Sequence, residues 1–469
     1  MAQPWVTGTT AALLSANARH LHMGLSLAHG GGHLRSEGGW AWLLWCWLVL
    51  TVAGALEHHA GHQAQHTTSL SRRDKKSKKL NRRHGQLTVE IGPEGARRVQ
   101  LITPLEDMSS EYTGIIGVGT AAGGGPQFKA RVVFDTGSTN LWVASILCKV
   151  APCNDEESQS FYDPDKSVTS EMYQKQQGPD IDIMFGTGEL KGPLHVDTYR
   201  VGPMEVDNQP FAMIREMNGE VFSSFPFEGI LGLAFPSLSF GGIEPFFERV
   251  IRKKLLKKNE FAFFLNADSS QPSALLWGGV DKDLYEGEIV MFPVAKPHYW
   301  ALELVDFRIG NQSLMEEDRS STKYLIVDTG TTYFTAPGTI YETIMDQFPE
   351  APCSHVETYK PLTYVLRSGK SETFDLKVTQ DTYMVGDDAN TCAPAFMKLD
   401  IKKQYGPAMI LGEVFMRHFF TVFSRGSGDL HEAKIGFAKA KAGAAPKVSG
   451  HAASASMVEA PVMRRGWSG

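Results

Sequence analysis

From Glu111 onward the chain alternates short apolar runs with Gly-, Pro- and Asp-rich turns, the pattern of an all-β, mainly strand body. Two runs are continuously apolar and rich in β-branched residues, Val132-Val133-Phe134 and Leu325-Ile326-Val327, and each predicts a buried strand. Each delivers a carboxylate into a turn, at Asp135-Thr136-Gly137 and Asp328-Thr329-Gly330, with a hydroxyl next along the chain at Ser138 and Thr331. Each is followed at similar spacing by an Ile-Leu-Gly run, Gly229-Ile230-Leu231-Gly232 and Met409-Ile410-Leu411-Gly412. One Asp-Thr-Gly often just closes a strand. The same ordered set met twice marks a duplicated lobe, and it brings one Asp from each half to a common seam.

Other segments are less specific. Ile181 to Leu190 predicts a β-hairpin with a Gly-rich tip at Gly186-Thr187-Gly188. Ile243 to Leu256 is the best helix candidate, apolar on one face and basic on the other, as in a solvated surface helix. Residues 1–39 are Gly-, His- and Ala-rich without clear periodicity and are expected to be a disordered leader, and residues 441–469 a flexible Ala-, Lys- and Ser-rich tail. Residues 40–56 carry no charge and are just long enough to span a bilayer as a helix, with Trp40, Trp42, Trp45 and Trp47 crowded at one end. A signal anchor with the remainder lumenal is the favoured reading. A signal peptide cleaved near Ala53-Gly54-Ala55, with Met23 as the start, comes second, and a buried soluble helix last.

At 469 residues the chain can bury a large core, and 42% hydrophobic with 21% charged residues excludes disorder throughout. The net charge of −6 conceals a segregation. Residues 71–98 carry +7, which leaves −13 for everything else, and a basic segment facing an acidic body argues against nucleic-acid binding. Apart from Cys46, four cysteines belong to the folded part: Cys148, Cys153, Cys353 and Cys392. Three pairings are open, of which Cys148–Cys153 with Cys353–Cys392 is favoured because each bond closes a loop within one half. A zinc site is the rival, but the spacing is wrong for it and no metal is expected. Disulfides imply an oxidising, secretory compartment, where the sequon Asn311-Gln312-Ser313 is a glycosylation candidate.

If Asp135 and Asp328 meet, the pair cannot easily ionise twice and holds one proton over a range of pH. The ionised member can take a proton from a water held between them while the protonated one donates to an amide carbonyl oxygen. Water adds, a tetrahedral diol forms, and the amine leaves with no metal, covalent intermediate or organic cofactor. Ser138 and Thr331 are placed to hydrogen-bond the outer carboxylate oxygens, and Thr136 and Thr329 to tie the two loops together.

These residues resemble the pepsin-like (A1-type) aspartic proteases, from Phe134-Asp-Thr-Gly-Ser-Thr-Asn-Leu-Trp142 and Val327-Asp-Thr-Gly-Thr-Thr332 to both Ile-Leu-Gly elements, over about residues 111–437. The resemblance implies a bilobal β fold with the cleft between an N-terminal lobe, 111–295, and a C-terminal lobe, 296–440. It makes the chain an endopeptidase (EC 3.4.23), monomeric, with a peptide or protein substrate carrying bulky apolar residues beside the cut. Residues 57–110 become linker and inhibitory prosegment, so the protein is a zymogen, and Phe185, Gly186, Thr187 and Gly188 become the substrate-binding flap. The two proposed Cys loops sit where that family places them. The anchor-like segment is similar to the plasmepsins of apicomplexan parasites. Two positions depart from the family pattern: Phe185 replaces the usual flap Tyr, so the hydroxyl that reaches towards Trp142 is missing, and Glu413 replaces the usual Asp, with a small structural effect expected. The main rival is a silent relative that binds peptides without cutting them, which typically lacks one of Asp135, Gly137, Asp328 or Gly330. A structural or adhesion protein and a phosphorylated-Asp ATPase are further rivals, and the latter needs a Lys after Asp that is absent here.

Overall fold

The computed structural model describes residues 101–447 except 109–110, 150–160, 174–179, 186–187, 220–221, 223–226, 269, 316–322, 387–389 and 402–406. The leader, the apolar segment 40–56, the basic run, Cys153, Gly186, Thr187 and residues 448–469 lie outside the described residues. Among those described, no helix is long and apolar enough to cross a membrane.

Strands dominate, and the two Asp-bearing runs are built alike. Phe128–Asp135 pairs in parallel with Gly229–Gly232, which in turn runs antiparallel to Leu141–Ala144. In the second half Tyr324–Val327 pairs in parallel with Ala408–Leu411, which runs antiparallel to Phe334–Ala336. Each Ile-Leu-Gly strand is thus wedged between the strand entering the Asp turn and the strand leaving it. Such a wedge has neighbours on both sides, which is why Val132, Val133, Phe134, Leu325 and Val327 are fully buried. Glycine closes each wedge because backbones touch there. A Cβ on Gly232 would lie 2.4 Å from the Thr139 carbonyl carbon, and one on Gly412 would lie 2.1 Å from the Thr331 oxygen.

The halves share one sheet. Its strands run, in order, Tyr285–Pro293, Lys434–Ala440, Phe419–Ser424, Glu260–Phe264, Ser273–Trp277 and Leu101–Asp107, and then continue through Tyr112–Val118 into the first half. The join between halves is Phe261 opposite Phe423, with their rings stacked at 5.1 Å. Trp277 and Trp300 pack on Phe261, so an aromatic core spans the seam beneath both Asp turns. Leu101–Asp107 lies ahead of the lobe start expected at Glu111, yet Leu101 pairs with Trp277 and Leu105 with Ser273. At the other end the first tail residues are packed. Asn266 Nδ2 donates to the Ala444 carbonyl at 3.0 Å, and Lys447 pairs with Asp283.

The expected helix from Ile243 is shorter, Phe246–Arg252. Pro245 disfavours helical backbone at Glu244 and caps the start, and Lys254 at φ 54° ends it. Its Phe246, Phe247 and Val250 are buried while Arg252 is exposed, so its two-faced character is as expected.

Candidate active site

The two Asp turns meet. Asp135 and Asp328 are both fully buried, and each carboxyl lies against the glycine of the opposite turn. Around them the two halves repeat the same contacts. Gly137 N–H donates to Asp135 Oδ1 at 2.8 Å, and Gly330 N–H donates to Asp328 Oδ1 at 2.7 Å. On the outer side the Ser138 hydroxyl donates to Asp135 Oδ2, and the Thr331 hydroxyl donates to Asp328 Oδ2 at 2.8 Å. Both hydroxyls thus sit on the second oxygen of their own carboxyl, opposite the Gly N–H.

Neither Gly could carry a side chain. A Cβ on Gly137 would stand 2.5 Å from Asp328 Oδ1, and one on Gly330 would stand 2.3 Å from Asp135 Oδ1. Each Gly therefore admits the carboxylate of the opposite half.

Thr136 and Thr329 lock the turns together reciprocally. Thr136 Oγ1 donates to the Val327 carbonyl at 3.0 Å and accepts from Thr329 N–H at 2.9 Å. Thr329 Oγ1 donates to the Phe134 carbonyl at 2.7 Å and accepts from Thr136 N–H at 2.9 Å. Each hydroxyl uses its one proton and a lone pair, so both threonines are satisfied without water.

Burial drives the Asp328 carboxyl well above the usual carboxylate range, and the negative charge of Asp135 pushes it further the same way. The Gly330 amide and Thr331 hydroxyl pull against this without overcoming it. Such a pair can offer an acid and a base side by side.

The hairpin is present as Ile181–Phe185 against Gly188–Gly192, with Phe185 opposite Gly188. A third strand, Glu216–Asn218, stiffens it, and Lys191 bridges Asp182 at 3.2 Å and Glu189 at 2.8 Å. Trp142 packs with Ile181, Ile183 and Leu190 at the root of this hairpin. The Phe185 side chain, Gly186 and Thr187 lie outside what is described.

Cys353 and Cys392 are bonded, with Cα atoms 4.9 Å apart. Cys148 is also in a disulfide, whose partner lies outside the described residues. Asn311 is exposed in the turn between the strands Ala301–Ile309 and Gln312–Ser313.

Glu413 has more contact with the site than its expected small effect suggested. It is fully buried, its N–H donates to the Thr331 carbonyl at 2.8 Å, and its carboxyl meets Arg417 at 3.2 Å. The sequence reading also passed over Asn140, which binds a second segment to the Asp135 loop. Its place five residues after Asp135, within the run Phe134 to Trp142 that resembles the aspartic proteases, was the signal for it. The backbone carbonyls of Phe134 and Val327, which anchor the threonines, left no signal in side-chain chemistry.

The family model for eukaryotic aspartyl protease matches residues 111–440. The chain is 38% identical over 368 residues to Aspartic protease 3 of Toxoplasma gondii, covering 76% of this chain and 54% of that protein. It is 30% identical over 407 residues to Plasmepsin IX of Plasmodium falciparum, covering 72% and 62%. To pepsin A of Sus scrofa it is 30% identical over 345 residues, covering 71% and 83%. The chain thus spans a little over half the length of the first two relatives. A family match across both halves, on a fold whose paired Asp turns mirror each other bond for bond, assigns this chain to the eukaryotic aspartyl proteases of pepsin-like type.

Proposed function

We propose that the protein is an aspartic endopeptidase that hydrolyses internal peptide bonds with a water activated between Asp135 and Asp328. One observation carries this: two fully buried carboxyls meet across the seam, each held by the same Gly N–H and outer hydroxyl. With one shared proton, the ionised carboxylate removes a proton from water as its oxygen bonds to the amide carbon. The protonated carboxyl gives its proton to the carbonyl oxygen, forming a neutral diol. The carboxyl that took the water proton then gives a proton to the nitrogen while the other carboxylate takes one from a diol hydroxyl, so the C–N bond breaks, the carbonyl re-forms and the pair again holds one proton. The hairpin at Ile181–Phe185 covers the substrate.

Residues 71–98 act as an inhibitory prosegment, since their +7 charge faces an acidic body whose carboxylates lose charge at low pH. The cut that frees the enzyme falls before Leu101, a boundary supported by the pairing of Leu101 with Trp277. The Cys353–Cys392 bond supports folding in an oxidising, secretory compartment. Residues 40–56 anchor the chain there, Asn311 takes a glycan, and the enzyme acts as a monomer on extended peptides with bulky apolar residues.

The test is a pH–rate profile on an unstructured protein substrate at acidic to neutral pH. Activity is expected to be bell-shaped and to vanish in Asp135→Ala and in Asp328→Ala separately. Cleavage retained in either variant removes the shared-proton mechanism. N-terminal sequencing of protein from its native source checks the anchor and the prosegment together.

A further inference from the structure

Segment 233–240 runs beside the Asp135 loop and is stitched to it along its length. Leu233 N–H donates to the Asp135 carbonyl at 2.6 Å, Ala234 N–H to the Ser138 carbonyl at 2.8 Å, and the Thr139 hydroxyl to the Phe235 carbonyl at 3.1 Å. The last stitch is double. Asn140 Oδ1 accepts from Phe240 N–H at 3.0 Å, and Asn140 Nδ2 donates to the Phe240 carbonyl at 3.3 Å.

Asn140 therefore holds the backbone of Phe240 from both sides and leaves its ring free. That ring is 38% exposed and joins none of the buried apolar clusters among the described residues. The short turn Phe240–Gly242 touches the flap strand Ile181–Phe185, and Ile243 packs with Ile181, Ile183 and Leu190. An exposed aromatic ring thus stands between the loop that carries Asp135 and the strand that carries the flap.

We propose that Asn140 is a positioning residue that fixes Phe240 at the edge of the cleft, and that Phe240 selects substrates with a bulky apolar side chain at one position near the cut. This rests on the endopeptidase reading. A peptide lying over Asp135 and under the hairpin covers the ring and removes apolar surface from water. Because both polar groups of the Phe240 backbone are already bound to Asn140, little further ordering is needed when the peptide arrives.

The experiment uses the activated protein and peptides in which each residue on either side of the cut is changed in turn from Leu to Gly. Wild type is expected to prefer Leu at one of these positions. Phe240→Ala is expected to shrink that preference in kcat/KM by roughly 10-fold while preferences elsewhere persist. Phe240→Leu, which keeps an apolar surface, is expected to retain most of it. Asn140→Ala is expected to weaken the same position as Phe240→Ala, with the bell shape of the pH profile kept. An equal loss across all peptides, no change in any preference, or an Asn140→Ala effect at a different position overturns the inference alone. A wild-type protein that cuts none of the peptides removes the endopeptidase reading, and this inference with it.

Discussion

At the scale of single residues, the site depends on hydroxyls that give and accept at once. Thr329→Val keeps the shape but deletes the bond to the Phe134 carbonyl and strands Thr136 N–H. An unmet buried donor costs about 1–3 kcal/mol, so thermal unfolding of Thr329→Val is expected several degrees lower, with kcat reduced. Thr329→Ser, which retains the hydroxyl, is expected to restore most of both. Titration belongs to this scale too. Burial pushes the Glu228 carboxyl up to about 7, against the opposing pull of the Arg131 amide, whose N–H donates to it at 2.6 Å. Asp328 and Glu413 are also raised by burial. An acid whose folded pKa is raised binds protons more tightly folded than unfolded, so stability falls as pH climbs from the ordinary carboxyl range towards the raised value. The protein is therefore expected to be most stable in acid and to lose stability between about pH 4.5 and 7. Chemical denaturation of wild type and Glu228→Gln across that range checks this: the variant should show a shallower decline, and a steeper or equal one would remove Glu228 from the explanation.

At the scale of elements, what was legible in the sequence was whatever repeats or is punctuated. The doubled Asp-Thr-Gly and Ile-Leu-Gly runs located both Asp turns, because close backbone packing leaves no alternative to Gly232 or Gly412 and the opposite carboxylate leaves none to Gly137 or Gly330. The hairpin strands were legible from the Gly-rich tip between them. The helix was overextended because its basic face continues through Lys254, whereas Pro245 and the positive φ of Lys254 set its true limits. The Leu101–Asp107 strand was missed for a different reason. It contains Pro104, which pairs opposite Ala274 inside a sheet where Pro is ordinarily excluded, and it follows a strongly charged stretch. The burial of Glu413 left no mark in the sequence, because a one-carbon change in an acid says nothing of its surroundings. A disulfide prediction also sits at this scale. Cys353–Cys392 spans a sequence separation of 39 and links Ala351–Pro352 to its paired strand Thr391–Pro394. Replacing both cysteines with Ser is expected to cost about 2–4 kcal/mol, read as a lower denaturation midpoint.

At the scale of the whole molecule, the two halves are not separable beads. The Glu260–Phe264 strand of the first half pairs with the Phe419–Ser424 strand of the second, and Arg425 reaches back to Glu248 on the helix Phe246–Arg252. A fragment ending near residue 295 would expose the Glu260–Phe264 edge and the aromatic seam, and is expected to aggregate when expressed alone. Co-expression with the remainder should recover soluble material, which size-exclusion chromatography would detect.

The Leu101–Asp107 strand sits between Ser273–Trp277 and Tyr112–Val118, inside the shared sheet and not along its rim. Any peptidase nibbling from the amino end is therefore expected to stall there, since one more bite would tear a hole in the scaffold that joins the two Asp turns. The molecule carries its own stop mark for trimming, written in hydrogen bonds to a neighbour 170-odd positions downstream.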